Sequence, residues 1–243
     1  MRRVLFELNG IKIYSYPAML YLGLNLGMVA ENFAAKAAHL DTLKVFIATL
    51  LLLIPALVGA RLLHVITHWS VYRLAPERIW RQAEGGAAMY GAVPFMLIAS
   101  VPLLNAFQIS FGSFWDVATF PILVGMIFTR IGCLLNGCCS GRASNSFCAM
   151  NLPDHNGVWQ RRIPTQLLEA GWGMLLLVAA IFLWNLSPFP GTIFLCVLVS
   201  YSLGRFAFEW TRQEQDRMGM LTVDQAISFI LVLIPLILLV KLD

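Results

Sequence analysis

Thr129-Arg130-Ile131-Gly132-Cys133-Leu134-Leu135-Asn136-Gly137-Cys138-Cys139-Ser140-Gly141-Arg142 closes an apolar run of membrane-spanning length with two arginines, an asparagine and three cysteines. Hydrocarbon makes an unpartnered charge expensive, so an arginine there must meet an anion, a backbone carbonyl or water. The stretch predicts a functional site facing a polar cavity inside a membrane bundle. A membrane-embedded enzyme acting on an anionic lipid is its first reading.

Composition agrees. Of 243 residues 59% are hydrophobic and 12% charged, with a mean hydropathy of +0.74. A soluble domain carries about 25% charged residues, so a soluble enzyme or a nucleic-acid-binding protein is excluded. A helix crosses the hydrocarbon with about 20 apolar residues. Seven runs qualify, near 16–34, 44–66, 88–106, 115–133, 166–186, 190–208 and 221–241. They predict an all-α integral membrane protein with seven transmembrane helices in a single domain, 1–243. The first run has spanning length and lacks a small-residue cleavage pattern, so we expect it to be retained. Pro17, Pro55, Pro94, Pro102 and Pro121 fall within the runs and predict broken or kinked spans around a polar, lipid-binding cavity. No internal repeat of the kind that builds many transporters is visible.

Seven crossings put Arg2, Arg3, Lys12, Arg73, Arg78, Arg81, Arg161, Arg162, Arg212 and Arg217 on the amino-terminal side, against little beyond Lys36, Lys44 and Lys241 opposite. The positive-inside rule would place that side in the cytoplasm. The alternative is that the arginines serve anionic headgroups and report the substrate.

Cys133, Cys138, Cys139 and Cys148 follow a C-x4-C-C-x8-C pattern without the paired C-x2-C spacing of a zinc site. Neighbouring cysteines alone do not supply tetrahedral geometry, so no metal and no cofactor is expected. A disulfide or small-residue packing is the reading of this cluster, and Cys196 reads as core packing.

Two further segments carry polar groups. Gly85 to Ala92 opens the third span with small residues and offers the Tyr90 hydroxyl, or is plain helix packing with an interfacial aromatic. Tyr201, Arg205, Glu209 and Arg212 recur at helical spacing and share a face. Glu209 can pair with either arginine and leave guanidinium donors for a phosphate; the plain alternative is a salt-bridged helix end. Between Arg142 and Gln166 runs a polar loop ending Arg161-Arg162-Ile163-Pro164-Thr165-Gln166 before Glu169. It reads as a headgroup-binding loop, or as a connection into the next helix. His64, His68 and His155 form no metal motif.

In this order the segments resemble the prolipoprotein diacylglyceryl transferase family nearly end to end. Tyr16 to Gly23 is similar to its tyrosine-containing first span, Gly59-Ala60-Arg61 to its glycine-arginine element, and Gly85 to Gly91 to its glycine-rich segment. Asp116 precedes the signature at the family's interval, and Thr129 to Gly141 occupies the signature G-R-x-G-N-F-x-N-x-E-x-x-G. Pro164-Thr165-Gln166 with Glu169, then Tyr201, Arg205, Glu209 and Arg212, complete the series. The resemblance implies transfer of diacylglycerol from phosphatidylglycerol to a thiol acceptor, a prolipoprotein lipobox cysteine, with no metal. It implies a bacterial cytoplasmic (inner) membrane with the catalytic face outside, against the charge count. Tyr90, Arg130, Arg205 and Glu209 become the catalytic candidates. Tyr16, Arg61, Asn136, Gly141, Arg142, Gln166, Tyr201 and Arg212 become substrate-binding candidates.

Three departures from the family lie at the site itself: Tyr90 replaces a histidine, Cys133 the signature asparagine and Cys138 the signature glutamate. Tyrosine, with a reference pKa near ~10, is a poorer base at neutral pH than histidine. We read Cys133, Cys138 and Cys139 as tuning groups, with Cys138 or Cys139 the alternative nucleophile. Competing functions are transfer to another thiol or alcohol, thiol oxidation-reduction at the cysteine cluster, and anion transport.

Overall fold

The computed structural model describes residues 2–8, 10–79, 89–153, 157–212, 217–218, 221–222, 225, 227–233 and 235. They fall into two compact units, Met1–Ala34 with Trp115–Asp243, and Ala35–Phe114.

The first unit begins with an antiparallel hairpin of β1 (Val4–Leu8) and β2 (Ile11–Tyr14). Gly10 makes its turn at φ +80°, a conformation open to glycine at little cost. Ser15 N donates to Arg3 O at 2.8 Å, anchoring the hairpin to α1 (Ser15–Ala37). Small residues let α1 lie close to α5 (Phe111–Asn136): Gly23 faces Phe128, Gly27 faces Pro121, and Gly132 faces Met19 and Tyr16. A second hairpin, β3 (Met150–Pro153) with β4 (Trp159–Arg162), leads into α6 (Thr165–Leu183) and α7 (Thr192–Glu209). Gly173 admits Met126 and Ile127 of α5, and Gly204 admits the Trp172 indole, so α6 packs on both neighbours. Small residues let helix backbones approach where lipid supplies no hydrophobic drive. A two-residue pair, β5 (Arg217–Met218) with β6 (Leu221–Thr222), follows.

The second unit holds α2 (Thr42–Thr67), α3 (Trp69–Tyr72), a 3-10 turn at Pro76–Arg78 and α4 (Met89–Phe107). Asp41 caps α2, its carboxylate accepting from Leu43 N at 3.0 Å and Lys44 N at 3.2 Å. Gly59 and Gly91 set the α2–α4 crossing: a Cβ on Gly59 would stand 2.7 Å from Phe95 Cβ, too near for any side chain.

Among the described residues, α2, α5, α6 and α7 are long and apolar enough to cross a membrane, and α4 contributes the shorter apolar helix Gly91–Phe107. The chain is a helical membrane protein. Six of the seven sequence runs correspond to α1, α2, α4, α5, α6 and α7. Most of the seventh, 221–241, lies outside the described residues. The prolines do not end their helices: α2 continues through Pro55, α4 through Pro94 and Pro102, and α5 through Pro121. Each proline removes one backbone donor, and the neighbouring turns keep the helix assigned. Pro17 sits in the first turn of α1, where its missing N–H has no intrahelical role.

Asp116 joins distant parts of the first unit. Its carboxylate accepts from Gly191 N at 2.6 Å and Phe194 N at 2.9 Å, satisfying the exposed donors that open α7. Its own turn packs there as well, with the Trp115 and Phe194 rings 4.8 Å apart. Removing a side-chain cap costs about 1–2 kcal/mol. Asp116→Ala is expected to lower the thermal midpoint of the detergent-solubilised protein accordingly. An unchanged midpoint would show that this cap contributes nothing.

Candidate active site

The end of α5, the start of α6 and the end of α7 bring together three buried charges, Glu169, Arg205 and Glu209, and the partly buried Arg130. Arg130 Nε lies 2.5 Å from Glu169 Oε2. Arg205 Nη1 lies 3.8 Å from Glu169 Oε1 and 3.1 Å from Glu209 Oε2. The i, i+4 spacing of Arg205 and Glu209 places them one turn apart on α7. Arg130 and Arg205 thus meet on one carboxylate although 75 positions separate them. Two guanidiniums and two carboxylates balance, as buried charges must to survive loss of water. The Arg130 pairing uses Nε, one of the five N–H donors of a guanidinium. Arg130 is 13% exposed against 3% for Arg205, so Arg130 is the more accessible donor.

Neutral groups complete the arrangement. The Tyr201 hydroxyl is buried beside Arg130 without closing a hydrogen bond of normal geometry. Gln166 Nε2 donates to Cys138 O at 2.6 Å, and Thr165 Oγ1 donates to Cys139 O at 2.9 Å. Gln166 Oε1 remains a buried acceptor without a donor. Tyr16 stands beside Cys133, Cys138, Cys139 and Arg130.

Past α5 the chain turns back at Gly137 (φ +78°) and Cys139 (φ +61°). Gly137 N and Cys138 N both donate to Cys133 O, at 3.0 and 3.1 Å, closing the helix end. The reversal carries Cys138 and Cys139 over Cys133, and the three Sγ atoms lie within 4.8 Å of one another. A helix cap, not a zinc-knuckle loop, assembles them. All five cysteines are free thiols, which corrects the disulfide alternative and leaves the packing one. Hydrogen bonds from Cys133 and then Cys139 hold the Cys138 thiol well below its usual pKa.

Gly141 explains itself sterically. It donates to Ile163 O at 2.9 Å and bridges Arg212, while Arg142 N donates to Thr211 O at 2.8 Å. A Cβ on Gly141 would stand 2.8 Å from Ile163 O. The segment is threaded between two backbones, and only glycine fits. Arg142 and Arg212 enter through these backbone bonds, and the Arg142 side chain is exposed. Asn136 O accepts from Arg3 Nε at 3.2 Å.

Arg61 and Tyr90 belong to the second unit. Arg61 is buried, donates to Ile79 O at 2.7 Å and Arg78 O at 3.0 Å, and stacks on Tyr72 at 5.4 Å. These contacts give it a structural duty, holding the segment after α3, in place of the lipid-binding one expected from the sequence. Tyr90 lies in the first turn of α4, but its side chain, Gly85–Ala88 and His155 are outside the described residues. The sequence list of site residues omitted Glu169 and Thr165. Thr165, Gln166 and Glu169 lie in the opening turns of α6, with Gln166 and Glu169 at i, i+3 spacing that puts both on one face.

Together the fold and these contacts define a multi-span membrane protein with an arginine–carboxylate site at its helix ends. A family model described as prolipoprotein diacylglyceryl transferase matches residues 3–241. The chain belongs to that family. It is 30% identical over 240 residues, 96% of this chain and 92% of the relative, to phosphatidylglycerol–prolipoprotein diacylglyceryl transferase 2 of Clostridium perfringens. It is also 30% identical over 249 residues to the phosphatidylglycerol–prolipoprotein diacylglyceryl transferase of Halalkalibacterium halodurans, covering 97% of this chain and 84% of that one. A relative of the same name in Trichormus variabilis is 26% identical over 236 residues, with 93% and 84% covered.

Removing one member of a buried ion pair costs about 3–5 kcal/mol. Glu169→Gln is therefore expected to lower thermal stability by several kcal/mol, whereas Arg142→Gln, on an exposed side chain, is expected to change it by less than ~0.5 kcal/mol. Equal effects of the two substitutions in one unfolding assay would contradict the network.

Proposed function

We propose that this chain moves the diacylglyceryl group of phosphatidylglycerol onto a thiol acceptor, the lipobox cysteine of a prolipoprotein. The observation that carries the reading is the convergence of Arg130 and Arg205 on Glu169, in a chain that matches the family from residue 3 to 241. The acceptor sulfur attacks the glyceryl carbon attached to the phosphate ester oxygen. The C–S bond forms, the C–O bond breaks, glycerol phosphate leaves, and the thiol proton passes to a base or solvent. Negative charge grows on the departing phosphate, where a preorganised cation is most effective. Arg130 is the donor assigned to that phosphate, Arg205 reinforces it, and Glu169 and Glu209 hold the two forks in place. A planar guanidinium can grip two phosphate oxygens at once, which an ammonium cannot.

Tyr16, Gln166 and Tyr201 are assigned to substrate around this centre, with Asn136, Gly141, Arg142 and Arg212 shaping the loop beside it. Tyr90 is assigned the reacting oxygen on its positional match alone. Residues 1–243 act as one transferase domain in this reading, built from both compact units. The helix count is seven, and the protein resides in the bacterial cytoplasmic membrane with its amino terminus and site outside. The bacterial origin of the relatives supports the membrane assignment. Burial of Arg162 supports discounting that arginine from the charge count.

Transfer is measured with purified protein in phosphatidylglycerol vesicles and a lipobox peptide, by mass spectrometry of the product thioether. Arg130→Lys and Arg205→Lys are each expected to lower kcat/KM by at least ~10-fold, a loss of about 1.4 kcal/mol of transition-state stabilisation. Full activity in both variants would remove the phosphate assignment. Orientation is checked with one cysteine at Glu77 in an otherwise cysteine-free variant: an impermeant maleimide is expected to label it in intact cells. Labelling by a permeant reagent alone would place that face in the cytoplasm.

A further inference from the structure

We propose that Cys133, Cys138 and Cys139 form a three-sulfur zinc site whose open fourth position takes the acceptor thiol. The metal site stands on geometry alone; its role in activating the acceptor rests on the transfer reaction proposed above.

Three free thiols whose sulfurs all lie within 4.8 Å of one another are close to a coordination sphere. Tetrahedral zinc with Zn–S bonds of about 2.3 Å sets its sulfurs about 3.8 Å apart, so contraction by at most about 1 Å closes the site. The backbone beneath is held from a second helix: Gln166 fixes the carbonyl of Cys138 and Thr165 that of Cys139. Outer hydrogen bonds of this kind orient metal ligands before the metal arrives. Thiolate sulfur selects a soft or borderline ion and leaves magnesium and calcium unbound.

The burial of the three differs in a way that favours an open position. Cys133 is 4% exposed, Cys138 intermediate and Cys139 exposed, so one side of the cluster faces outward. Three protein ligands with a free position is the pattern of catalytic zinc, whereas structural zinc is closed by four. Arg130, adjacent to Cys133 and Cys139, offsets the net negative charge of a zinc ion carrying three or four thiolates.

Each cysteine releases its proton to solvent on binding the metal, and so does the acceptor thiol when it enters the fourth position. The zinc-bound acceptor sulfur then donates a lone pair to the glyceryl carbon. The C–S bond forms, and the electrons of the C–O bond go to the departing glycerol phosphate beside Arg130. The neutral thioether is a weak ligand and leaves, and zinc remains divalent throughout. No oxidant or reductant enters.

The test uses full-length protein in nanodiscs, with zinc per chain measured by plasma mass spectrometry and cobalt(II) as the spectroscopic probe. About one zinc per chain is expected, falling at least fivefold in Cys133→Ser, Cys138→Ser and Cys139→Ser but retained in Cys148→Ser and Cys196→Ser. Should a serine variant fail to fold, zinc-loaded wild type is expected to shield these three thiols from maleimide while Cys148 still reacts. The cobalt form is expected to show thiolate charge-transfer bands that shift on adding a lipobox peptide and not its serine counterpart. Absence of thiolate–cobalt bands, or a disulfide among the three in protein as isolated, overturns the site. Undiminished transfer by zinc-free protein overturns thiol activation and leaves the transferase reading standing. Zinc held by the three cysteines and a peptide-dependent band shift, with no transfer from phosphatidylglycerol, overturns the transferase reading and leaves the site.

Discussion

The structure is organised around one buried carboxylate. Glu169 takes Arg130 at 2.5 Å and stands 3.8 Å from Arg205, so a side chain from α6 joins α5 to α7. A charge removed from water without a partner would be prohibitively unfavourable, and that penalty fixes how the three helices may slide or rotate against one another. Gly173 and Gly204 allow the close approach this demands, and Asp116 ties α5 to the far end of α7. The 3.8 Å leg is the weak one, beyond ordinary hydrogen-bond length. Glu209 compensates by taking Arg205 at 3.1 Å. Arg205 is thus shared between two carboxylates, while Arg130 takes one and lies nearer solvent.

Much of this was legible in the sequence for physical reasons that are local. Apolar runs announce helices because the hydrocarbon sets their length, and Arg205 with Glu209 announces its own pairing because i, i+4 neighbours are set by helix geometry alone. Glu169 was legible only as the end of the Pro164-Thr165-Gln166 motif, since its partner Arg130 lies on a different helix and no local rule connects them. The two hairpins were missed because they are short and carry no strong apolar alternation. For β1 and β2 a signal existed in Asn9-Gly10, a common turn pair. Arg61 entered through the Gly59-Ala60-Arg61 resemblance, and its bonds to the backbone carbonyls of Arg78 and Ile79 were not legible because they depend on how the chain folds back after α3.

The cysteines show a different limit of sequence reading. Spacing rules for metal sites describe loops that present ligands from extended chain, and C-x4-C-C fails them. Here the first thiol is still on the helix, the capping turn reverses the chain, and a non-glycine residue in the left-handed region, Cys139 at φ +61°, completes the return. A positive φ on such a residue is unfavourable by about 1 kcal/mol or more and is sustained by what surrounds it. Thr165 and Gln166 supply that support from α6, the helix that also carries Glu169.

The cation site and the thiol cluster therefore share their supports. Arg130 and Cys133 are three residues apart on α5, which places their Cβ atoms about 5–6 Å apart on one face. Displacement at carbon requires the attacking sulfur and the departing oxygen on opposite sides of the carbon. A sulfur held at the cysteine cluster and a phosphate held at Arg130 would flank such a carbon from adjoining positions on one rigid helix. Lysine at 130 would retain the charge but not the fork that orients the phosphate relative to that line. On the proposed reaction the end of α5 would contribute geometry as well as charge.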